Sequence, residues 1–381
     1  MVDQGHEVEF LANSYTGQTI KKAVLTDGTT FDYKIHGQRS QYFQNEMQQM
    51  LKEIKPDIFF ILLDTFMLYP WLVNFDLSPA RTIFWYPSDG GGGMPLGCEN
   101  ILRKMDCPVA MAKFGQKQVK DVYDIDTKHI PHGTEPNRYF KMSDEDRQKM
   151  KQKYGVANKF VIGTVSRNQP RKMLDRALKS FRIVADHIPE AVFLMHLDPN
   201  DPAAPWPIVE MIKKYDLENR VVFTGMSAMK AFDWEQMNEV YNAMDVFFLS
   251  TSGEGFGIPT IEAMSCEIPV VVTSYTSTAE LVEQNNSGLS VQLTGVPELD
   301  MYNSTTQDYD FNSFNGSLTG SWMVERGLMD IKDAARKIMM LQDPKLREQL
   351  GSNGRKAVLE KYDFDKIVAP QWENLMKELV K

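Results

Sequence analysis

The chain has 381 residues, 43% hydrophobic and 24% charged, a globular mix long enough for two or three domains with cores of their own. Its 51 acidic side chains outnumber 42 basic ones, giving a net charge of −9, which argues against the basic face that binding a nucleic acid backbone requires. Cys98, Cys107 and Cys266 form no CxxC pair and suit neither a disulfide framework nor a zinc site, so a reducing cytoplasm is expected.

The N-terminus shows no secretory signal, and the longest apolar run, Ile58 to Leu63, is far shorter than the ~20 residues of a membrane helix. Peripheral membrane contact stays open. Lys104, Lys113, Lys117 and Lys120 could face anionic lipid or form a solvated helix face.

In chain order, apolar runs predict strands at Val8 to Leu11, Asp57 to Leu63, Thr82 to Tyr86 and Val109 to Ala112. Between Gly133 and Asn158 the pattern breaks into a polar, charged connection. Strands then resume at Phe160 to Val165, Ala191 to Leu197, Val221 to Thr224, Asp245 to Ser250 and Pro269 to Thr273. Leu174, Ala177, Leu178, Phe181 and Val184 recur at helical spacing. Gln292 to Ser321, rich in Asn, Ser, Thr, Gly and Asp, reads as an extended loop or insertion. A closing helix is expected over Asp365 to Lys381, anchored by Ile367, Trp372, Leu375, Met376 and Leu379. Strands alternating with helices on both sides of one break predict an α/β protein of two doubly wound parallel sheets.

Two passages carry chemistry. SGEGFGIPTIEAM, Ser252 to Met264, reads as a glycine-rich loop between a strand and a helix. Gly253, Gly255 and Gly257 permit close backbone approach to a ligand, and the helix start offers unpaired amides to phosphate. Glu254 lies in this loop. Glu262 is expected in the first helical turn, where its carboxylate would either face the same crevice or only complement the helix dipole, worth ~0.3 to 1 kcal/mol. GTVSRNQPRKML, Gly163 to Leu174, again reads as strand, loop and helix start. Arg167, Arg171 and Lys172 then sit at the positive end of a helix, an unfavourable place for cations unless an anion joins them. The stretch from Ala231 to Glu325 contains fourteen Asp and Glu and no Lys or Arg, so an anionic ligand docking there must find its cations elsewhere.

Glu254 and Glu262 in EGFGIPTIE, the flanking YNAMDVFFLSTSGEGFG and EAMSCEIPVVVT, and Arg167 with Lys172 together resemble the retaining glycosyltransferases of family 4. The resemblance runs from about Gly5 to the C-terminus and is strongest from Phe160 to Gly288. It implies the GT-B fold, two facing Rossmann-like domains with the active site in the cleft between them. The implied boundaries are an N-terminal, acceptor-side domain over 1–140, a linker over 141–158 and a nucleotide-sugar-binding domain over 159–364, with helix 365–381 returning to complete the first. Members of the family usually open with a strand and a glycine-rich turn ahead of GHEV. Here Gly5, His6, Glu7 and Val8 come almost at once, so a weakened N-terminal domain without that strand is expected.

The resemblance also implies roles. Arg167 and Lys172 would bind the donor diphosphate, and Glu262 the nucleotide ribose. Glu254, with the loop amides of Gly255, Phe256 and Gly257, would contact the donor sugar, with Ile258 and Thr260 at the following helix start. Met226, in VVFTGMS, would lie near the nucleobase. The family often supplies a His from the N-terminal domain after the strand matching TIFWY. This chain has Ser88 and Asp89 there, which makes Asp89 a candidate for a sugar hydroxyl, and His132 is expected to pack. With cations from the protein no metal and no cofactor is expected, and the DxD strings at Asp124 to Asp126, Asp308 to Asp310 and Asp363 to Asp365 follow no apolar strand. The expected function is transfer of a sugar from a nucleotide-diphosphate sugar to an acceptor that the sequence does not identify. A nucleotide-sugar epimerase and a non-catalytic nucleotide-sugar-binding protein are the alternatives. A dehydrogenase is disfavoured by the absence of GxGxxG.

Overall fold

Short apolar segments pair in parallel along both halves of the chain, and amphipathic helices between them cover the sheet faces. The computed structural model describes residues 5–12, 18–24, 28, 30–37, 44–65, 68, 72, 75–91, 98–201, 204–227, 231–296, 298–299, 302–303, 308–309 and 324–380. Most of the expected excursion over Gln292 to Ser321 lies outside the described residues.

The first lobe contains β1 (Glu9–Ala12), β2 (Gln18–Val24), β3 (Thr30–Gly37), α1 (Gln44–Ile54), β4 (Ile58–Ile61), β5 (Arg81–Tyr86), α2 (Cys98–Lys104), β6 (Cys107–Ala110), α3 (Lys113–Tyr123) and β7 (Lys128–His129). Strands β4, β5, β6 and β7 form one parallel sheet in that order. A separate sheet holds β1 parallel to β3, with β2 antiparallel to β3 as a hairpin. Among the described residues no strand joins the two sheets. On α3, Lys117 pairs with Asp121, and Lys120 pairs with Asp124 at 2.7 Å and Asp126 at 3.0 Å, so that helix face is charge-compensated.

The second lobe contains α4 (Asp144–Lys153), β8 (Phe160–Val165), α5 (Leu174–His187), β9 (Ala191–His196), α6 (Ile208–Lys214), β10 (Val221–Phe223), α7 (Trp234–Asn242), β11 (Val246–Leu249), α8 (Ile258–Ser265), β12 (Val270–Thr273), α9 (Thr276–Glu283), β13 (Gly288–Val291), α10 (Ile331–Met340) and α11 (Pro344–Ala357). Its six strands lie in the order β10, β9, β8, β11, β12, β13, all parallel. All nine expected strands are present, each end within two residues of its expected place. The polar connection after Gly133 holds a helix, α4, which Ser143 caps and which docks on the second lobe through Lys151 and Asp245, 2.7 Å apart.

The chain crosses between the lobes twice, near Thr134 and near Phe364. The crossings are tied where Thr134 N donates to Tyr362 O at 2.8 Å and Phe364 N donates to Thr134 O at 2.9 Å. The closing helix α12 (Ala369–Leu379) packs on the first lobe, where the Trp372 ring meets Phe60 and Trp85 edge-on, each at 5.0 Å. One apolar cluster therefore runs from Ile83, Trp85 and Val109 through Trp372 and Met376 to Val161 and Phe247, fastening the lobes along one side. No helix among the described residues is long and apolar enough to cross a membrane.

Candidate active site

In the second lobe the sheet is built outward in both directions from β8 and β11, and such a switch point opens a crevice at the strands' carboxyl ends. The two passages singled out above leave these two strands. Because β8 and β11 are hydrogen-bonded neighbours, the turns that follow them are forced together. Ser252 N donates to Arg171 O at 2.7 Å, Ser252 Oγ donates to the same carbonyl at 3.1 Å, and Ser250 Oγ donates to Lys172 O at 2.8 Å. The basic turn and the glycine loop are thus stitched through main-chain carbonyls.

Glu254 is the centre of the arrangement and is buried, not a solvated loop acid. Its carboxylate pairs with Lys172 Nζ and, at 2.8 Å, with Arg171 Nη1. Burial pushes this carboxyl up, but the charges of Arg171 and Lys172 and the hydrogen bonds from Lys172 and Thr251 outweigh it and hold it at about 2. Burial lowers the Lys172 ammonium against the opposing pull of Glu254, whereas the carboxylates of Glu254 and Asp89 leave Arg171 raised in spite of its burial. The awkward placement of Arg171 and Lys172 just ahead of α5 is answered within the protein by carboxylates.

Arg167 is exposed and has no hydrogen bond or ion pair among the described residues. Its turn is held by the Asn168 side chain, which donates to Trp206 O at 2.8 Å, and by Trp206 Nε1, which donates to Gln169 O at 3.0 Å.

The glycines act differently from expectation at two of three positions. A Cβ on Gly253 would lie 1.8 Å from Asp89 O, and one on Gly255 would lie 2.6 Å from Pro87 Cβ, so these glycines admit the backbone of the first lobe. Gly257 has φ +95°, the left-handed entry into α8. Glu254 N donates to Thr276 Oγ1 at 2.9 Å, whereas the amides of Gly255, Phe256 and Gly257 have no hydrogen-bond partner among the described residues. The Phe256 ring points into the core, against His132 at 5.2 Å and Tyr362 at 6.0 Å, leaving its backbone as the part that can meet a ligand.

Glu262 is the fifth residue of α8, beyond the first turn, so dipole complementation is not its role. It accepts a hydrogen bond from Tyr241 at 2.6 Å and one from Tyr139, while burial raises its carboxyl above the usual range. Thr260 is buried with no partner for its hydroxyl among the described residues, and Ile258 is exposed at the helix start. Met226 follows β10, which lies two strands from β8 in the sheet. His132 packs as expected, stacked at 4.0 Å on Trp85, and burial lowers it to about 4.

Across the cleft, Asp89 does reach the site. One carboxylate oxygen lies 3.6 Å from Arg171 Nε and 3.3 Å from Arg326 Nη1. Sequence reasoning did not assign Arg326, although it is the first basic residue after the cation-free stretch. A second bridge links the lobes where Glu280, on α9, accepts from the amides of Phe114 at 2.9 Å and Lys113 at 3.1 Å at the start of α3.

Two facing Rossmann-like lobes with this crevice between them have the GT-B fold. Residues 146–296 match the family described as glycosyl transferases group 1. Mannosylfructose-phosphate synthase of Agrobacterium fabrum is 31% identical over 181 residues, 45% of this chain and 38% of that one. The capsular polysaccharide biosynthesis glycosyltransferase CapM of Staphylococcus aureus is 26% identical over 235 residues, 60% of this chain and 49% of that one. The chain thus spans half or less of the length of these curated relatives. Among solved structures, sucrose-phosphate synthase from Thermosynechococcus elongatus superposes with a TM-score of 0.73 at 17% identity, covering 99% of this chain and 90% of that one. Anabaena HepE in complex with UDP gives 0.65 at 18% identity, covering 91% and 86%.

Proposed function

We propose that the protein is a retaining glycosyltransferase that moves a sugar from a nucleotide-diphosphate sugar to an acceptor still to be identified. The observation that carries this reading is the convergence of Lys172, Arg171 and the glycine loop on Glu254 at the switch point. Arg167, exposed and unpartnered among the described residues, and Lys172 bind the diphosphate. As it arrives, its negative charge competes for Lys172, and Glu254 is released to accept hydrogen bonds from the donor sugar's hydroxyls. The amides of Gly255, Phe256 and Gly257, without partners among the described residues, add further donors to the sugar and phosphate. Glu262, already oriented by Tyr241 and Tyr139, binds the ribose, with Ile258 and Thr260 beside it and Met226 near the base. Asp89 faces the sugar from the first lobe. The Anabaena neighbour's complexes with UDP and with UDP-glucose support a nucleotide-sugar ligand for this crevice.

In the reaction the acceptor hydroxyl attacks the anomeric carbon on the face from which the diphosphate leaves. The bond from carbon to phosphate oxygen breaks with its electron pair going to the diphosphate, and a departing phosphate oxygen takes the acceptor's proton. Lys172 and Arg167 stabilise the charge that develops, so we propose that no metal and no cofactor is required. The division at 141–158, the return of the closing helix to the first lobe and a cytoplasmic location belong to the same reading.

The test is incubation with labelled nucleotide sugars and a panel of glycan, lipid and small-molecule acceptors. Label on a new acceptor, with its anomeric configuration retained by NMR, is expected. An isomerised donor would make the protein an epimerase, and saturable binding without turnover a nucleotide-sugar-binding protein.

A further inference from the structure

Val324 to Gly327, the segment leading into α10, lies across the cleft and grips the loop that follows β5 in the first lobe. Gly91 N donates to Glu325 O at 3.1 Å and Glu325 N donates to Gly91 O at 2.9 Å, an antiparallel bridge between the lobes. Tyr275 stands beside it, its hydroxyl accepting from Gly91 N and donating to Glu325 O, both at 2.8 Å. A Cβ on Gly90 would fall 2.6 Å from the Val324 side chain, so this contact is also tight. Arg326 then reaches back under the loop. Its Nη1 donates to Asp89 O and lies 3.3 Å from the Asp89 carboxylate. Gly327 N donates to Ser252 O at 3.0 Å, so the same four residues are fixed to the glycine loop.

We infer that Arg326 is a positioning residue: it clasps the Pro87–Gly91 loop over the Glu254 pocket and thereby sets how far the two lobes close. This deepens the glycosyltransferase reading and rests on it for the consequence, though not for the clasp. Asp89 and Glu254 share Arg171. Without Arg326, Asp89 has one fewer guanidinium, the loop loses its carbonyl anchor, and the lobes are held on this side chiefly by the Gly91 bridge and the Glu280 contact. Arg326 touches no reacting atom. Its effect passes through Asp89 and the loop roof.

The three native cysteines are buried, so spin labels can be placed selectively by V122C on α3 and K213C on α6, both exposed and one on each lobe. In the full chain without ligand, double electron resonance should give a narrow interlobe distance distribution. R326A should broaden it towards longer distances, R326K should recover part of the short population, and D89N, which keeps the carbonyl contact, should fall between R326A and the parent. If R326A fails to fold, D89N against the parent carries the test. A folded R326A or D89N with the parent distribution overturns the clasp. In turnover assays R326A should raise the donor KM about ten-fold with kcat within about two-fold, as loss of a charged hydrogen bond that acts through closure. A raised KM with unchanged distances also overturns the proposal, because Arg326 would then act by direct contact. Absence of any sugar transfer would sink the enzymatic reading and leave the distance measurement to decide the clasp.

Discussion

Replacing Lys172 by alanine separates what this residue does for the fold from what it does for a ligand. Glu254 is buried, and its carboxyl is held at about 2, well under the 4.5 of an ordinary glutamate. At about 1.4 kcal/mol per pKa unit, its surroundings favour the charged form by about 3 kcal/mol at neutral pH. That stabilisation is fully present above pH 4.5 and is lost as pH falls through the folded value near 2. In K172A, Arg171 alone faces the buried carboxylate, and removing one partner of a buried pair costs about 3 kcal/mol at pH 7. Urea unfolding at pH 7 should register that loss, and the gap between K172A and the parent should shrink as pH falls from 4.5. Removing the carboxylate as well, in K172M/E254Q, should restore much of the stability, because no buried carboxylate is left short of cations and Arg171 keeps Asp89 as its partner. Nucleoside diphosphate binding, followed by calorimetry, should weaken by about 1.5–3 kcal/mol in K172A, and the double variant should not recover it. A K172A protein as stable as the parent, or a double variant that regains diphosphate affinity, would refute the assignment of Lys172 to both tasks.

Three further outcomes follow from the geometry. R167A should weaken diphosphate binding by about 1.5–3 kcal/mol yet leave urea unfolding unchanged, since the side chain is exposed and unpartnered among the described residues; an unchanged affinity would remove Arg167 from the site. G253A should force the two lobes apart, because its Cβ would meet Asp89 O at 1.8 Å, and small-angle scattering should show an increased radius of gyration; the parent value would mean that the loop shifts instead. His129, His132 and His196 are each lowered to about 4 by burial, so protons bind the unfolded chain first and stability should fall as pH drops from 6.5 to 4. For His196, buried against Thr224, the loss approaches about 3 kcal/mol, and H196Q should flatten that part of the profile in urea titrations.

The second lobe was legible because its strands are continuous apolar runs. Such runs occur where a parallel sheet is covered on both faces, as the fully buried β8, β9, β11 and β12 are. The hairpin of β2 and β3 escaped notice for the opposite reason. Its strands, QTIKKAV and TFDYKIHG, carry polar residues among the apolar ones and make no run, although Asp27–Gly28 between them is a strong hairpin signal. Glu262 differs from expectation by a single residue: Gly257, at φ +95°, caps a helix that already begins at Ile258, which leaves Glu262 fifth and just past the first turn.

The site was legible in its parts and not in their pairing. Cations at a helix start demand an anion, and sequence reasoning supplied the only kind it could see, a ligand phosphate. The fold supplies Glu254 from the neighbouring strand's loop and Asp89 from the other lobe, contacts separated in sequence by 82 residues for Lys172 and Glu254 and by 237 for Arg326 and Asp89. Glycines show the same ambiguity. A residue without a side chain marks a close approach but does not say by what, and at Gly253 and Gly255 the approaching group is the chain itself. Apart from Arg167, the cations that a diphosphate entering this crevice would meet, Lys172 and Arg171, already have partners. Its affinity is the difference between its own pull on Lys172 and Arg171 and that of the carboxylates it displaces, which couples ligand binding to the loop that carries Asp89.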